Sequence, residues 1–225
     1  DQLYVGSYIL LSFLSFMPGV FLFFFKNVEN VQEDSLKEGN IRNLKSIVLQ
    51  PRFLQAITAA AFAYAVMSFL MTATPLSMHV MENMSLKETG LVLQFHVVAM
   101  FLPSLITGNL IKKYGHSAII YGGVLFFFIT VLLSLFEQTY LNYMLSLIFL
   151  GLGWNFLFIS GTSLVVLTYN KEEKFKVQGI NDLIVFSTMA LASLSAGILL
   201  NSIGWKMMNL ISVSYTHLTL PTIVG

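Results

Sequence analysis

Apolar residues occur along this chain in long runs separated by short polar segments. Six runs are long enough to cross a membrane: residues 3–25, 53–78, 89–111, 117–136, 142–168 and 177–203. About 20 apolar residues are needed to span the hydrocarbon core, and backbone groups in lipid must bond within their own segment. The pattern therefore predicts an all-α membrane protein with six transmembrane helices. A seventh apolar segment starts near Met207 and is cut short.

Composition indicates the same class of protein. Hydrophobic residues make up 56% of the 225 residues and charged residues only 10%, whereas soluble domains carry roughly 25% charged residues. The runs are therefore not buried core helices of a soluble protein. The absence of cysteine excludes disulfides, thiolate metal ligands and thiol nucleophiles. The net charge of +1 is not gathered in one basic patch, so we expect no nucleic-acid partner.

The basic residues are concentrated on one side of the predicted spans. Of the twelve, five lie in residues 26–52, two are Lys112 and Lys113, and three lie in residues 171–176. Only Lys87 and Lys206 lie on the other side. Because loops rich in lysine and arginine stay in the cytoplasm, these three loops are predicted to be cytoplasmic.

The only long loop divides the chain into parts of different character. Residues 1–25 form one predicted helix, residues 26–52 a charged linker, and residues 53–212 a truncated bundle with short connections. Residues 213–225 read VSYTHLTLPTIVG, which is too polar and too short to complete a seventh span. This tail resembles translated sequencing-adapter DNA, and we expect it not to be native.

One cytoplasmic loop carries a recognisable motif. In the segment GNLIKKYGHS, the motif positions are Gly108, Leu110, Lys112, Lys113 and Gly115. The segment resembles the second-half copy of the loop signature of the major facilitator superfamily. The runs QPRFLQAITAAAFAYAVMSFLMTATPLSM and GLGWNFLFISGTSLV resemble a bacterial drug-efflux-like branch of that superfamily.

This resemblance implies a transporter of twelve helices in two halves, located in the bacterial inner membrane. Residues 1–25 would be the last helix of the first half, and residues 53–212 most of the second half. The missing N-terminal half would then be a partner within the same protein. The usual acidic residue of the loop signature is absent, since Asn109 and Ile111 occupy the corresponding places.

Two ionisable residues lie inside predicted spans, where such groups are costly and often functional. His96 lies roughly 10 Å below the outer end of its span at about 1.5 Å per residue, and Asp182 lies near the cytoplasmic end of another. Both are candidates for proton coupling or gating. The alternatives are a neutral histidine bonded to a neighbouring helix, and an aspartate stabilised by its helix N-terminus and Lys176.

Residues near the middle of the spans are candidates for binding a substrate, because alternating access requires a site near the bilayer midplane. Trp154 and Asn155 lie at the midpoint of their span, and Thr162 shares a helix face with Asn155 seven residues later. Tyr64 and Met71 have the same spacing in another span. For Asn155, a hydrogen bond between helices explains the residue equally well.

Two prolines lie inside predicted spans. Pro75 and Pro103 each remove one backbone hydrogen bond, and we expect both to kink their helices.

The chain fits a secondary transporter better than an enzyme. A membrane hydrolase or transferase needs paired carboxylates, a metal cluster or a nucleophile with its base, and the spans hold one acid and one histidine. A non-transporting scaffold or sensor is the alternative, although the sequence has no large soluble effector region. No GxxxxGK[ST] motif is present, so we expect no nucleotide cofactor. No HExxH motif, paired aspartates or Cys/His set is present either, so we expect no metal centre.

We therefore expect a transporter that moves a small organic solute by alternating access and uses the proton gradient. The spans hold few charges, no arginine and many aromatic residues, which favours an amphipathic or aromatic solute. Membrane lipid is the other expected partner. The resemblance suggests efflux, while the residues themselves leave export and uptake open.

Overall fold

The computed structural model describes residues 5–24 and 42–219, with side chains up to residue 212. The described residues form eight α-helices: α1 (Val5–Phe24), α2 (Leu44–Val48), α3 (Pro51–Pro75), α4 (Leu86–Phe101), α5 (Ser104–Tyr114), α6 (His116–Ser134), α7 (Tyr140–Val166) and α8 (Lys174–Thr219). Six helical segments are long and apolar enough to cross a membrane. They match the six predicted runs, so the all-α membrane fold is confirmed.

Helix α1 belongs to the first of two units of the chain, residues 1–40. All of its side chains are exposed, and most of them are large and apolar. A helix that is apolar on every side is typical of a membrane span. The predicted linker, residues 26–52, falls largely on residues 25–41, which lie outside the described residues.

The second unit is built around α3 and α7, which pack against each other. Helix α4 packs on α7 and α8 packs on α3, giving the order α4, α7, α3, α8. Helix α6 packs on α7 and also contacts α8. Short turns make successive spans antiparallel, so Lys112, Lys113 and residues 171–176 lie at one end of the bundle, which we call the basic end.

Glycines allow α7 to approach three neighbouring helices closely. A Cβ atom at Gly151 would lie 2.8 Å from the His96 carbonyl oxygen of α4. A Cβ atom at Gly161 would lie 2.8 Å from the Ala56 carbonyl oxygen of α3. One at Gly153 would clash with the Phe127 ring of α6 and lie 3.0 Å from the Gly123 carbonyl oxygen. Small residues drive helix association in membranes because they let backbones meet. These contacts make α7 the centre of the bundle.

The predicted span 89–111 is one membrane-spanning segment that is interrupted at Pro103, where a kink was expected. Helix α4 ends at Phe101 and α5 begins at Ser104, with Pro103 between them. Proline has no N–H group, so the Ala99 carbonyl oxygen loses its helical donor and the helix breaks. At Pro75 the predicted kink takes another form, because α3 continues as a π-helix, Leu76–Met81.

Two single glycines connect helices through the same backbone conformation. Gly115, with φ 85° and ψ 161°, joins α5 to α6, and Gly204, with φ 74° and ψ 169°, interrupts α8. Both values of φ lie in the region that favours glycine. Each glycine ends the pattern G-x-L-x-x-x-x-G, which spans residues 108–115 and 197–204. The turns lie at opposite ends of the bundle, as expected for an inverted structural repeat, which sequence reasoning missed.

An ion pair fastens the segment before α3 to the loop between α7 and α8. Arg42 donates from Nε to Glu173 Oε1 at 2.9 Å and from Nη2 to Glu173 Oε2 at 2.6 Å. This guanidinium and the Asn170 backbone N–H hold the pKa of the loop residue Glu173 at about 2. Ile47 of α2 is buried beside Phe53 in the same region. The end of the linker is therefore packed on the basic end.

We predict that Gly151→Ala destabilises the protein by about 1–3 kcal/mol, because the added methyl group must push α4 away from α7. The measurement is thermal unfolding of the detergent-solubilised protein. The matched control is Gly179→Ala, since a Cβ atom at this exposed helical glycine meets nothing within 4 Å. Equal unfolding temperatures for the two variants would contradict close packing at Gly151.

Candidate substrate-binding site

Three aromatic side chains from α3 and α7 pack together in the centre of the bundle. The Tyr64 ring lies edge to face with the rings of Trp154 and Phe158, at centroid distances of 5.2 Å and 4.8 Å. The rings of Trp154 and Phe158 stack at 4.9 Å. Such pairs contribute about 0.5–1.5 kcal/mol each beyond their buried area. The three rings therefore hold one another in place.

Two further rings extend this group to the surface of the bundle. Phe101 of α4 lies 5.8 Å from Trp154, and Phe186 of α8 lies 5.8 Å from Tyr64. Their side chains are 59% and 49% exposed. We call these five rings the aromatic site. Because α4 and α8 flank the α7–α3 pair, the aromatic site contains side chains from all four helices.

The sequence identified only part of the aromatic site. Tyr64 and Trp154 were both expected, and the structure brings them together. Phe158 was missed, although its four-residue spacing from Trp154 is a usable signal. Phe101 and Phe186 carry no such signal, because the chain has 20 phenylalanines spread over its apolar runs.

Trp154 brings a polar group to the aromatic site. Its side chain is 2% exposed, and its indole N–H has no hydrogen-bond partner among the described residues. Buried tryptophan N–H groups usually have a partner. A ring nitrogen or carbonyl oxygen of a bound solute is an acceptor of the kind this group lacks.

Met71 and Thr162 lie near the aromatic site without completing a polar pocket. Met71 is half-buried and lies two turns along α3 from Tyr64 on the same face. Thr162 is one turn from Phe158, and its hydroxyl group donates to the Phe158 carbonyl oxygen at 2.8 Å. Met71 and Thr162 therefore remain predicted substrate-binding residues.

Asn155 faces the break between α4 and α5 rather than the aromatic rings. Its Nδ2 atom donates to the Met100 carbonyl oxygen at 2.7 Å and to Ser104 Oγ at 2.6 Å. Its Oδ1 atom accepts a hydrogen bond from Thr107 Oγ1 at 2.7 Å. The side chain is fully buried. This geometry corresponds to the interhelical alternative, in which Asn155 satisfies backbone and hydroxyl groups near Pro103.

His96 is buried between α4 and α7. Its Nδ1 atom lies 2.8 Å from the Leu147 carbonyl oxygen, which can only accept, so Nδ1 carries the proton. Its Nε2 atom is buried without a partner among the described residues. A charged imidazolium ring here would leave one N–H group unpaired, which is costly. The geometry favours a neutral histidine that links the two helices.

Asp182 is exposed on α8, one turn from Phe186 and therefore on the same helix face. Its Oδ1 atom accepts a hydrogen bond from Asn181 Nδ2 at 3.1 Å. The carboxylate is thus at the edge of the aromatic site towards the basic end. It can meet solute or a group from another part of the protein.

The loop motif lies at the end of α5. Lys112 and Lys113 are exposed in the last turn, where positive charge is favourable beside free helical carbonyl groups. Leu110 is half-buried, Gly108 is exposed, and Gly115 supplies the positive φ of the turn. The motif therefore sets the angle between two helices and places two cations at the basic end.

This arrangement defines a class of protein. A bundle of membrane-spanning helices that carries an aromatic, weakly charged site on facing helices is typical of membrane transporters. Residues 56–220 match the family model of the Major Facilitator Superfamily. The chain belongs to this superfamily of membrane transporters, as its loop motif had indicated, and is a multi-pass membrane protein.

The chain is also similar to individual proteins that are named as transporters. The chain is 35% identical over 209 residues to the riboflavin transporter RfnT of Brucella anthropi, which covers 93% of this chain and 52% of that protein. It is 26% identical over 230 residues to the uncharacterized MFS-type transporter YdeG of Bacillus subtilis, covering 97% and 53%. The chain spans about half the length of these relatives.

We predict that Asn155→Ala lowers the free energy of unfolding by about 0.6–1.7 kcal/mol, the range measured for hydrogen bonds between membrane helices. The Met100 carbonyl oxygen and the Ser104 hydroxyl group would lose their side-chain donor, while the Thr107 hydroxyl group would keep its bond to the Pro103 carbonyl oxygen. The measurement is thermal unfolding in detergent. The control is Ser163→Ala, because the Ser163 hydroxyl group bonds only to the Ser160 carbonyl oxygen of its own helix. An unchanged Asn155→Ala protein would contradict this structural role.

Proposed function

We propose that the complete protein containing this chain is a secondary active transporter of a planar aromatic solute. It works by alternating access in the bacterial inner membrane, with the solute held against the aromatic site. The observation that carries the proposal is the meeting of Tyr64, Trp154 and Phe158 in the bundle centre, with exposed rings on both flanking helices. Stacking on such rings favours flat, aromatic molecules.

Riboflavin is the first solute to test. A relative with 35% identity is a riboflavin transporter, and riboflavin carries a fused three-ring system with ring nitrogens and carbonyl oxygens. The flat ring system suits stacking on the half-buried Phe158 ring and on the exposed Phe101 and Phe186 rings. Its acceptors match the unpaired Trp154 N–H, which a solute reaches only when the side chains around it move. The sequence runs that resemble drug-efflux proteins favour export. Riboflavin transport measured in right-side-out and inside-out vesicles distinguishes export from uptake.

We predict that Phe158→Leu in the complete protein weakens riboflavin binding by roughly fivefold, because it removes a stacked ring worth about 1 kcal/mol. Binding is measured by quenching of riboflavin fluorescence in detergent. The matched control is Phe149→Leu on the same helix, since the Phe149 ring packs with Phe126 of α6, away from the aromatic site. Equal affinity of both variants and the unchanged protein would reject the aromatic site.

We propose further that transport is coupled to protons through Asp182. The carboxylate is exposed beside Phe186, so both water and solute can reach it. His96 is less suited to this role, because its ring is enclosed between α4 and α7. An exposed acid at the edge of a binding site can exchange a proton in one conformation and meet a partner in the other.

We predict that Asp182→Asn abolishes solute accumulation driven by a pH gradient in proteoliposomes, while solute binding is kept. Addition of an uncoupler should then have no further effect on flux. Glu172→Gln is the control, because Glu172 is an exposed acid in the preceding loop. If His96→Gln abolishes gradient-driven accumulation and Asp182→Asn does not, the coupling group is His96.

A further inference from the structure

The break between α4 and α5 leaves an apolar crevice on the outside of the bundle. The crevice has a volume of about 390 Å³ and lies between Leu105 and Ile106 of α5, Phe126 of α6, and Phe156 of α7. Phe156 is two residues from Trp154, so it lies on nearly the opposite face of α7. The crevice is therefore separate from the aromatic site.

Two cations follow the crevice on the same helix. Lys112 and Lys113 lie seven residues after Leu105 and Ile106, which places each lysine on the same helix face as one crevice residue. Seven residues of helix span about 10 Å, less than the half-thickness of about 15 Å of the hydrocarbon core. The lysines thus lie at the height of phosphate groups when the crevice lies among acyl chains.

No acidic side chain among the described residues pairs with these two lysines. Both are exposed, and among the described residues the one ion pair is that of Arg42 with Glu173. The acidic residue that the loop signature carries elsewhere is replaced here by Asn109 and Ile111. Positive charge beside an apolar crevice is complementary to an anionic lipid.

We propose that the crevice and the two lysines form a binding site for an anionic diacyl phospholipid of the phosphatidylglycerol type. One acyl chain fills the crevice between α5, α6 and α7. The phosphate group pairs with Lys112 and Lys113 at the basic end. An occupied crevice fills the gap that the break leaves between α5 and α6, so the lipid stabilises the broken helix from outside.

The proposed lipid site is tested on the complete protein, which is reconstituted in lipid nanodiscs and then extracted for native mass spectrometry. With equal amounts of phosphatidylglycerol and phosphatidylethanolamine, we expect preferential retention of phosphatidylglycerol by the unchanged protein. Lys112→Gln with Lys113→Gln should lower that retention roughly tenfold. Lys174→Gln with Lys176→Gln, a matched pair of exposed lysines at the same end, should not.

A second variant tests the contribution of the crevice to lipid binding independently of the lysine charges. Ile106→Trp fills the crevice and keeps both lysines, and we expect it to lower phosphatidylglycerol retention while its unfolding temperature stays near that of the unchanged protein. Soluble glycerol phosphate, which has the headgroup charge and no acyl chains, should not displace the lipid. Equal retention of both lipids by the unchanged protein, or displacement by glycerol phosphate, would overturn the proposal.

Discussion

The hydrogen bonds of Asn155 to the broken helix are the interaction on which the functional surfaces depend. Within the hydrocarbon region no water is available to satisfy a free carbonyl group. The Asn155 side chain supplies a donor to the Met100 carbonyl oxygen and fixes the break from the inside of the bundle. The adjacent residue, Phe101, lies against Trp154, and Leu105 lines the outer crevice. One amide therefore positions both the aromatic site and the outer surface of α5.

The fold follows from the sequence because its signals are long and repeated. Each span is a run of about 20 apolar residues, and lysines mark alternate connections, so neither number nor direction of helices depends on a single residue. Local chemistry also defines several ends: Pro51 begins α3, and Ser85 with Glu88 caps α4. The bounds shifted by a few residues, since helices continue through polar turns at the membrane surface. The break at Pro103 falls where a kink was predicted and divides one span into two helices without changing the number of spans.

The candidate site was harder to predict because neighbouring residues on one helix face different partners. Trp154 and Asn155 are adjacent, yet Trp154 packs with Tyr64 while Asn155 bonds to the α4–α5 break. A helix turns by about 100° per residue, and sequence alone does not show which neighbour occupies which direction. His96 illustrates the same point, because its meaning depends on the carbonyl oxygen of Leu147, 51 residues away. A polar residue in a span indicates a contact, but the sequence does not identify the partner.

The single-glycine turn at Gly115 has a mechanical consequence. A peptide unit is planar, so one residue offers only two soft rotations. While α5 and α6 stay intact, their mutual angle is set by the φ and ψ of Gly115 alone. The two helices are thus rigid segments with one joint, at Gly115. The turn at Gly204 is a second joint of the same kind at the opposite end of the bundle. Each joint therefore has two degrees of freedom.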